Sequence, residues 1–310
     1  MTTQTQPTDE SSTSVPVGVV IVGVDGSDKN QAALEWADRE ADRLGYRLVL
    51  VGATPIFGTP TWGFTRDYGF AELEQDMRDQ LDATRARLER PGRDIRVDAA
   101  TGDATRVLLE AGKHCDLLIV GKRGIGATKR MLVGSTSTAV AGRSPVPVVV
   151  VPDSWDQSRQ ESAPIVVGVT DAERDHEVLE FGFTRADRLG VPLIAAYVWD
   201  LPLQVVWSPD DVARWKAEAR ELLDGVVAQW SKRFPDVEVV SLTPHGNVAM
   251  ALVDAGEAAQ LVVVGRHTGP RHLGGFSLGS KTRALLHYAE FPVAVVPTKH
   301  VKSDPLADLG

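Results

Sequence analysis

The chain has 310 residues, a length that allows about two domains of ordinary size. Hydrophobic content of 43% and charged content of 24% are those of a water-soluble globular protein, and no apolar run approaches the roughly 20 residues of a spanning helix. A net charge of −9 argues against a general nucleic-acid binder, and a single cysteine, Cys115, excludes an intramolecular disulfide. The polar N-terminus (residues 1–16) lacks the apolar core of a signal peptide and reads as a disordered tail, so the expected location is cytoplasmic.

Val17 to Val24 is a nearly continuous β-branched run, the pattern of a strand covered on both faces. It ends in Asp25-Gly26-Ser27-Asp28, which is turn and N-cap chemistry. Asp28 is the better-placed cap, and that leaves Asp25 for ligand work. Gln31 to Leu44 carries Ala33, Leu34, Trp36, Ala37, Ala41 and Leu44 at helical spacing and stops at Gly45. A second strand runs through Leu48 to Val51. The aromatic stretch with Trp62 and Phe64 that follows reads either as a pocket lid or partner surface, or as local packing under a loop. A polar amphipathic helix over Phe70 to Glu89, a strand over Ile95 to Ala99 and a helix over Thr105 to Gly112 come next. Two further apolar runs, Leu117 to Val120 and Val148 to Val151, complete an alternation of strands and helices that predicts an α/β unit with a parallel sheet.

Between those last two runs lies Gly121-x2-Gly124-x9-Gly134-Ser135, with Thr136 and Ser137 at the expected start of a helix. Glycine lets the backbone approach a ligand closely, and a helix N-terminus offers N–H donors and the positive end of its dipole. Lys122, Arg123, Lys129 and Arg130 add positive charge, so the loop suits a phosphate. The bland alternative is a plain strand–helix connection. No Walker A pattern occurs, and the dinucleotide fingerprint fails because Lys129 holds its third glycine position. The seven histidines lack zinc-site spacing, and G-x-S-x-G is absent.

The second half repeats the first. Gly23, Trp36, Asp42, Arg43, Leu44 and Gly45 return 145 positions later as Gly168, Phe181, Asp187, Arg188, Leu189 and Gly190. Gly102 and Gly121 return at an offset of 144 as Gly246 and Gly265, and Gly134, Ser135, Pro147 and Pro152 return at 145 as Gly279, Ser280, Pro292 and Pro297. Such regularity marks a tandem duplication. The two units are placed at residues 17–152 and 164–298, joined by a polar linker over 153–163 and followed by a short tail over 299–310. The second unit departs from the first in two places. Thr170 stands where Asp25 stood, with Asp171 next to it, and the loop reads Gly265-x3-Gly269-x9-Gly279-Ser280, one residue longer. Arg266, His267, Arg271, His272 and Lys281 keep that loop anion-friendly, and weaker binding or altered geometry is expected there.

The glycine loop, its flanking strands and the repeat resemble the ATP-binding domain of universal stress proteins, in a tandem form. The resemblance implies two doubly wound five-stranded parallel-sheet domains, Rossmann-like, with strand order 3-2-1-4-5. In such a sheet ligands bind beyond the strand C-termini where the order reverses, here between the first and fourth strands. Asp25 ends the first strand and Gly121 the fourth, so the two features converge. By resemblance Asp25 contacts the nucleoside, while Gly121, Gly124, Gly134, Ser135 and Thr136 wrap the phosphates of ATP. Gly265, Gly269, Gly279 and Ser280 are their counterparts in the second unit. The adenine wall is expected near Val51 to Ala53. Mg2+ is a companion of the phosphates, although no carboxylate cage is visible. The last strand of each unit, Val148 to Val151 and Val293 to Val296, is expected at a sheet edge where the two domains pair within one chain. A homodimer is open to such a protein, and neither nucleic acid nor membrane is an expected partner. The function implied is a nucleotide-dependent regulator or sensor in stress response. The alternatives are a slow ATPase or phosphotransferase on the same scaffold, and a scaffold that associates without nucleotide.

Overall fold

The computed structural model describes residues 18–54, 70–124, 133–156, 162–171, 174–199, 208–266 and 278–298. The first half runs β1 (Val19–Val24), α1 (Gln31–Leu44), β2 (Arg47–Thr54), α2 (Phe70–Leu88), β3 (Ile95–Thr101), α3 (Ala104–Ala111), β4 (Leu117–Gly121), α4 (Ser135–Arg143) and β5 (Val148–Val151). The second half runs β6 (Ile165–Val169), α5 (His176–Leu189), β7 (Leu193–Tyr197), α6 (Pro209–Arg233), β8 (Val239–Leu242), α7 (Val248–Gly256), β9 (Leu261–Arg266), α8 (Ser280–Tyr288) and β10 (Val293–Pro297). The aromatic stretch around Trp62 and Phe64 and both tails lie outside the described residues.

Among the described residues, ten strands join one sheet in the order β3-β2-β1-β4-β5-β10-β9-β6-β7-β8. Each half therefore has the order 3-2-1-4-5, with parallel pairing throughout. The β-branched runs are strands because helices cover both faces. One core joins Val20, Val22 and Ile119 to α1, α2, α5 and α6. The other joins Ile21, Leu118 and Val120 to α3, α4, α7 and α8. The halves meet where β5 runs antiparallel to β10, with Val150 facing Val293, Val149 facing Ala294 and Val148 facing Val295. Each strand would be a bare edge alone, and each covers the other.

Helix ends follow local chemistry. Gly45 closes α1 at φ 64°, a left-handed conformation that glycine adopts without a Cβ penalty, and Gly190 closes α5 at φ 61°. The start of α1 differs from expectation. Asp28 does not cap it: Asp28 to Asn30 form a 3-10 turn, and Asn30 takes the N-cap position. The Asn30 side chain turns inward and donates from Nδ2 to the Gly23 carbonyl at 3.0 Å. A buried strand-end carbonyl thereby gains a donor, which outweighs the propensity of an exposed aspartate to cap.

Candidate functional site

The chain leaves β1 at Val24 and turns at Asp25, whose Oδ1 accepts from the Ser27 N–H at 3.0 Å and from Ser27 Oγ at 2.7 Å. Beside it, β4 ends at Gly121. A cleft of about 270 Å³ opens between the two strand ends, lined by Asp25, Gly121, Gly124, Gly134, Ser135 and Thr136. All six first-half candidates from the sequence thus meet around one space. Val51 and Ala53 from the end of β2 also line it. Sequence reading did not single out Asn30, Ala104 and Leu108 for the site; they line it together with Ser137, which the sequence placed at the helix start. The one prior signal, for Asn30 and Ala104, is position at the start of a helix that follows a strand; Leu108 lies within α3.

The glycines are here for close approach. A Cβ on Gly124 would fall 2.5 Å from Asp25 Oδ2. One on Gly121 would lie 3.2 Å from the Arg123 carbonyl and 3.4 Å from Asn30 Nδ2. The loop is closed at its base: the Gly134 N–H donates to the Lys122 carbonyl at 2.8 Å, and Ser137 Oγ donates to the Gly121 carbonyl at 2.6 Å. Gly134 is the N-cap of α4 and has no side chain to occupy the first-turn donors. Those N–H groups have no acceptor within the helix, so Ser135 and Thr136 bring donors and the positive dipole end to the cleft.

The cations behave differently from expectation. Lys122 is buried and turned away from the cleft. Its Nζ donates to the Ala289 carbonyl of the other half at 2.7 Å and lies 3.6 Å from Glu290 Oε1. Burial pushes its pKa below the usual lysine range. Arg123 lines the cleft but pairs with Asp153 at 2.8 Å. Lys129 and Arg130 lie outside the described residues. The described part of the site therefore presents helix N–H groups and hydroxyls to an anion, with Arg123 already engaged.

The second half is built differently at the same place. The Asp175 carboxylate is fully buried and accepts at Oδ2 from the Thr170 N–H (2.5 Å), Thr170 Oγ1 (2.9 Å) and the Asp171 N–H (2.9 Å). Asp171 accepts at Oδ1 from the Arg174 N–H at 3.2 Å. Gly265 lies within β9, and Gly279 is the N-cap of α8. Ser280 and Lys281 line a separate cavity of about 590 Å³, together with Trp199, Trp215 and Asn247. Thr170 and Gly265 are not among its walls. Gly269, His267, Arg271 and His272 lie outside the described residues.

The model of the universal stress protein family matches residues 17–152 and again residues 162–297. The chain belongs to the universal stress protein family. A universal stress protein of Mycobacterium tuberculosis, Rv1996, is 28% identical over 309 residues, covering 92% of this chain and 96% of that protein. A universal stress protein of Mycolicibacterium smegmatis is 30% identical over 289 residues, covering 89% of this chain and 96% of that protein. The crystal structure of a universal stress protein from Archaeoglobus fulgidus superposes with a TM-score of 0.65 at 18% identity, over 91% of this chain and 96% of that one. The tandem arrangement thus extends over whole relatives. Among the described residues of this universal stress protein there is no group of three metal-ligating side chains, and no helix is long and apolar enough to cross a membrane.

Proposed function

We propose that this universal stress protein binds ATP in the first-half cleft and acts as a nucleotide-dependent regulator or sensor. The observation that carries the reading is the convergence of Asp25, the three glycines and the α4 N-terminus on one space at the switch point of the sheet. Val51, Ala53 and Leu108 give the base an apolar wall, the Asp25 carboxylate accepts from a ribose hydroxyl, and the α4 N-terminus receives phosphate. Mg2+ would accompany the phosphates. Asp25 Oδ1 is held by two bonds from Ser27, which suits a residue that positions a ligand. In the second half the Asp175 carboxylate already satisfies the donors after β6, so one nucleotide per chain is expected.

The test is to purify the protein without added nucleotide, denature it, and identify the released compounds by chromatography and mass spectrometry. ATP near one equivalent per chain is expected. Two equivalents would overturn the view that the second half is internally closed, and mostly ADP would favour turnover over regulation. An empty protein that also ignores added ATP would remove the proposed function altogether.

A further inference from the structure

The seam between the halves has a local two-fold axis, because Val149 faces Ala294, its equivalent 145 positions on. Near such an axis each residue meets its own counterpart from the other half. Glu40 of α1 and Arg185 of α5 are counterparts at that same separation of 145. They meet directly: Arg185 Nη1 and Nη2 donate to the two carboxylate oxygens of Glu40. Their side chains are only 3% (Glu40) and 8% (Arg185) exposed. Trp36 and Phe181, a further pair of counterparts, flank them, with the guanidinium carbon 5.1 Å and 6.0 Å from the two ring centroids.

A buried ion pair is a weak stabiliser, because apolar residues of the same volume often serve as well; its larger effect is on what else fits. Two first halves joined through this seam would bury two Glu40 carboxylates against each other. Two second halves would bury two Arg185 guanidinium groups. One pair of contacts across the seam lacks this discrimination. Lys122 Nζ donates to the Ala289 carbonyl, and its counterpart Arg266 donates from Nη1 to the Ser144 carbonyl, both at 2.7 Å. Each is a cation on a backbone carbonyl, a contact that like halves would form equally well.

We propose that Glu40 and Arg185 form a charge key. The seam surface of the first half accepts a universal stress unit with a cation at the axis position and rejects a copy of itself. In this protein that partner is the second half, so pairing is between unlike halves only.

The test uses the full-length chain and the variants E40R, R185E and E40R/R185E, read by thermal unfolding. Each single variant places like charges at the axis and is expected to lower the midpoint by roughly 10 °C, while the double variant returns to within about 3 °C of the natural chain. Partner choice is read by co-expressing two differently tagged chains. E40R and R185E chains are expected to capture each other at one to one, since E40R carries a cation at both axis positions and R185E an anion at both, so each half of one finds its opposite charge only in the other. Two natural chains are expected to show no such exchange. Single variants as stable as the natural chain would overturn the key, as would a double variant no better than the worse single, or capture no greater than between natural chains. Should a single variant fail to accumulate alone, the double variant decides: soluble and stable supports the key, insoluble overturns it.

Discussion

Replacing Gly124 with alanine probes the proposed nucleotide cleft at its tightest contact. The new Cβ would fall 2.5 Å from Asp25 Oδ2 and 3.6 Å from Asp25 Cγ. Carbon–oxygen contacts settle at about 3.3 Å or more, so about 0.8 Å must be absorbed. Asp25 is short and tied through Oδ1 to the Ser27 N–H and Oγ, so it cannot swing away as the tip of a long side chain would. Displacing it breaks two hydrogen bonds worth about 1 kcal/mol each, and moving the loop backbone instead misplaces the phosphate donors. A loss of about 2 kcal/mol in binding corresponds to roughly 30-fold in Kd. Global stability should fall by no more than about the same 2 kcal/mol, because the two bonds at risk belong to the ligand-free fold while the contact lies outside both cores. Calorimetric titration of ATP into nucleotide-stripped protein reads the effect. Gly225→Ala in α6 is the control: its Cβ meets nothing within 4 Å, and ATP binding should not change. A Gly124→Ala protein whose Kd stays within about threefold of the natural one would refute the reasoning.

Asp175→Ala should destabilise the protein by about 3 kcal/mol, because it strips the acceptor from three donors at Thr170 and Asp171; the midpoint should fall by roughly 6–10 °C while ATP still binds the first half. An unchanged midpoint would show that the closed loop contributes nothing. Cys115 gives a pH dependence, since burial, then the nearby Asp116 charge, push its thiol up to about 12 from the ordinary 9.0. Between those values the unfolded chain has lost the proton and the folded chain keeps it, so the contribution is full below about 9 and is lost as pH rises toward 12. Denaturation midpoints of the natural chain should therefore fall more steeply over that range than those of Cys115→Ala, and native Cys115 should alkylate far more slowly at pH 8 than the unfolded chain; equal rates would contradict the burial.

The strands were legible because covering both faces of a parallel sheet demands continuous runs such as Val148 to Val151, a signal that survives without any tertiary knowledge. The same holds for Gly45, whose left-handed conformation is a local requirement. The cleft was legible for a different reason: Asp25 and Gly121 each end a strand, and strand order alone brings the ends together. Lys122 misled because a lysine beside a glycine loop reads as a phosphate ligand. Its direction depends on the approach of Ala289 from the other half, a contact 167 positions away that no local pattern contains. Asp28 misled for a related reason, since the Gly23 carbonyl that draws in Asn30 needs a donor only once β1 is buried. Asp175 and the Glu40–Arg185 pair were within reach. Aligning the two repeats sets Asp175 on Asn30 and Arg185 on Glu40, so the change of charge at each of these counterpart positions is written in the residues themselves.

The two halves solve one electrostatic problem in two ways. Backbone N–H groups after β1 and β6 need acceptors at the mouth of the sheet. After β6 the acceptor is Asp175, carried in the chain, so it meets Thr170 and Asp171 without the loss of freedom that a separate ligand would bear. After β1 the counterpart is Asn30, which donates inward to Gly23 and leaves the cleft to Asp25 and the glycine loop. The charge key joins these unlike solutions: by pairing Glu40 with Arg185 only, it places one open cleft and one internally capped loop in every closed unit. Lys122 makes the two contiguous. Its N–H is bonded to Val151, its carbonyl holds Gly134 at the base of the cleft loop, and its Nζ holds Ala289 at the end of α8. Any displacement of Gly121 on ligand binding therefore acts one residue away on the seam itself. A chain built from two copies of the first half would carry Asn30 and Glu40 twice, with like charges at the axis; this chain carries Asp175 and Arg185 in their place, and the two halves fit each other.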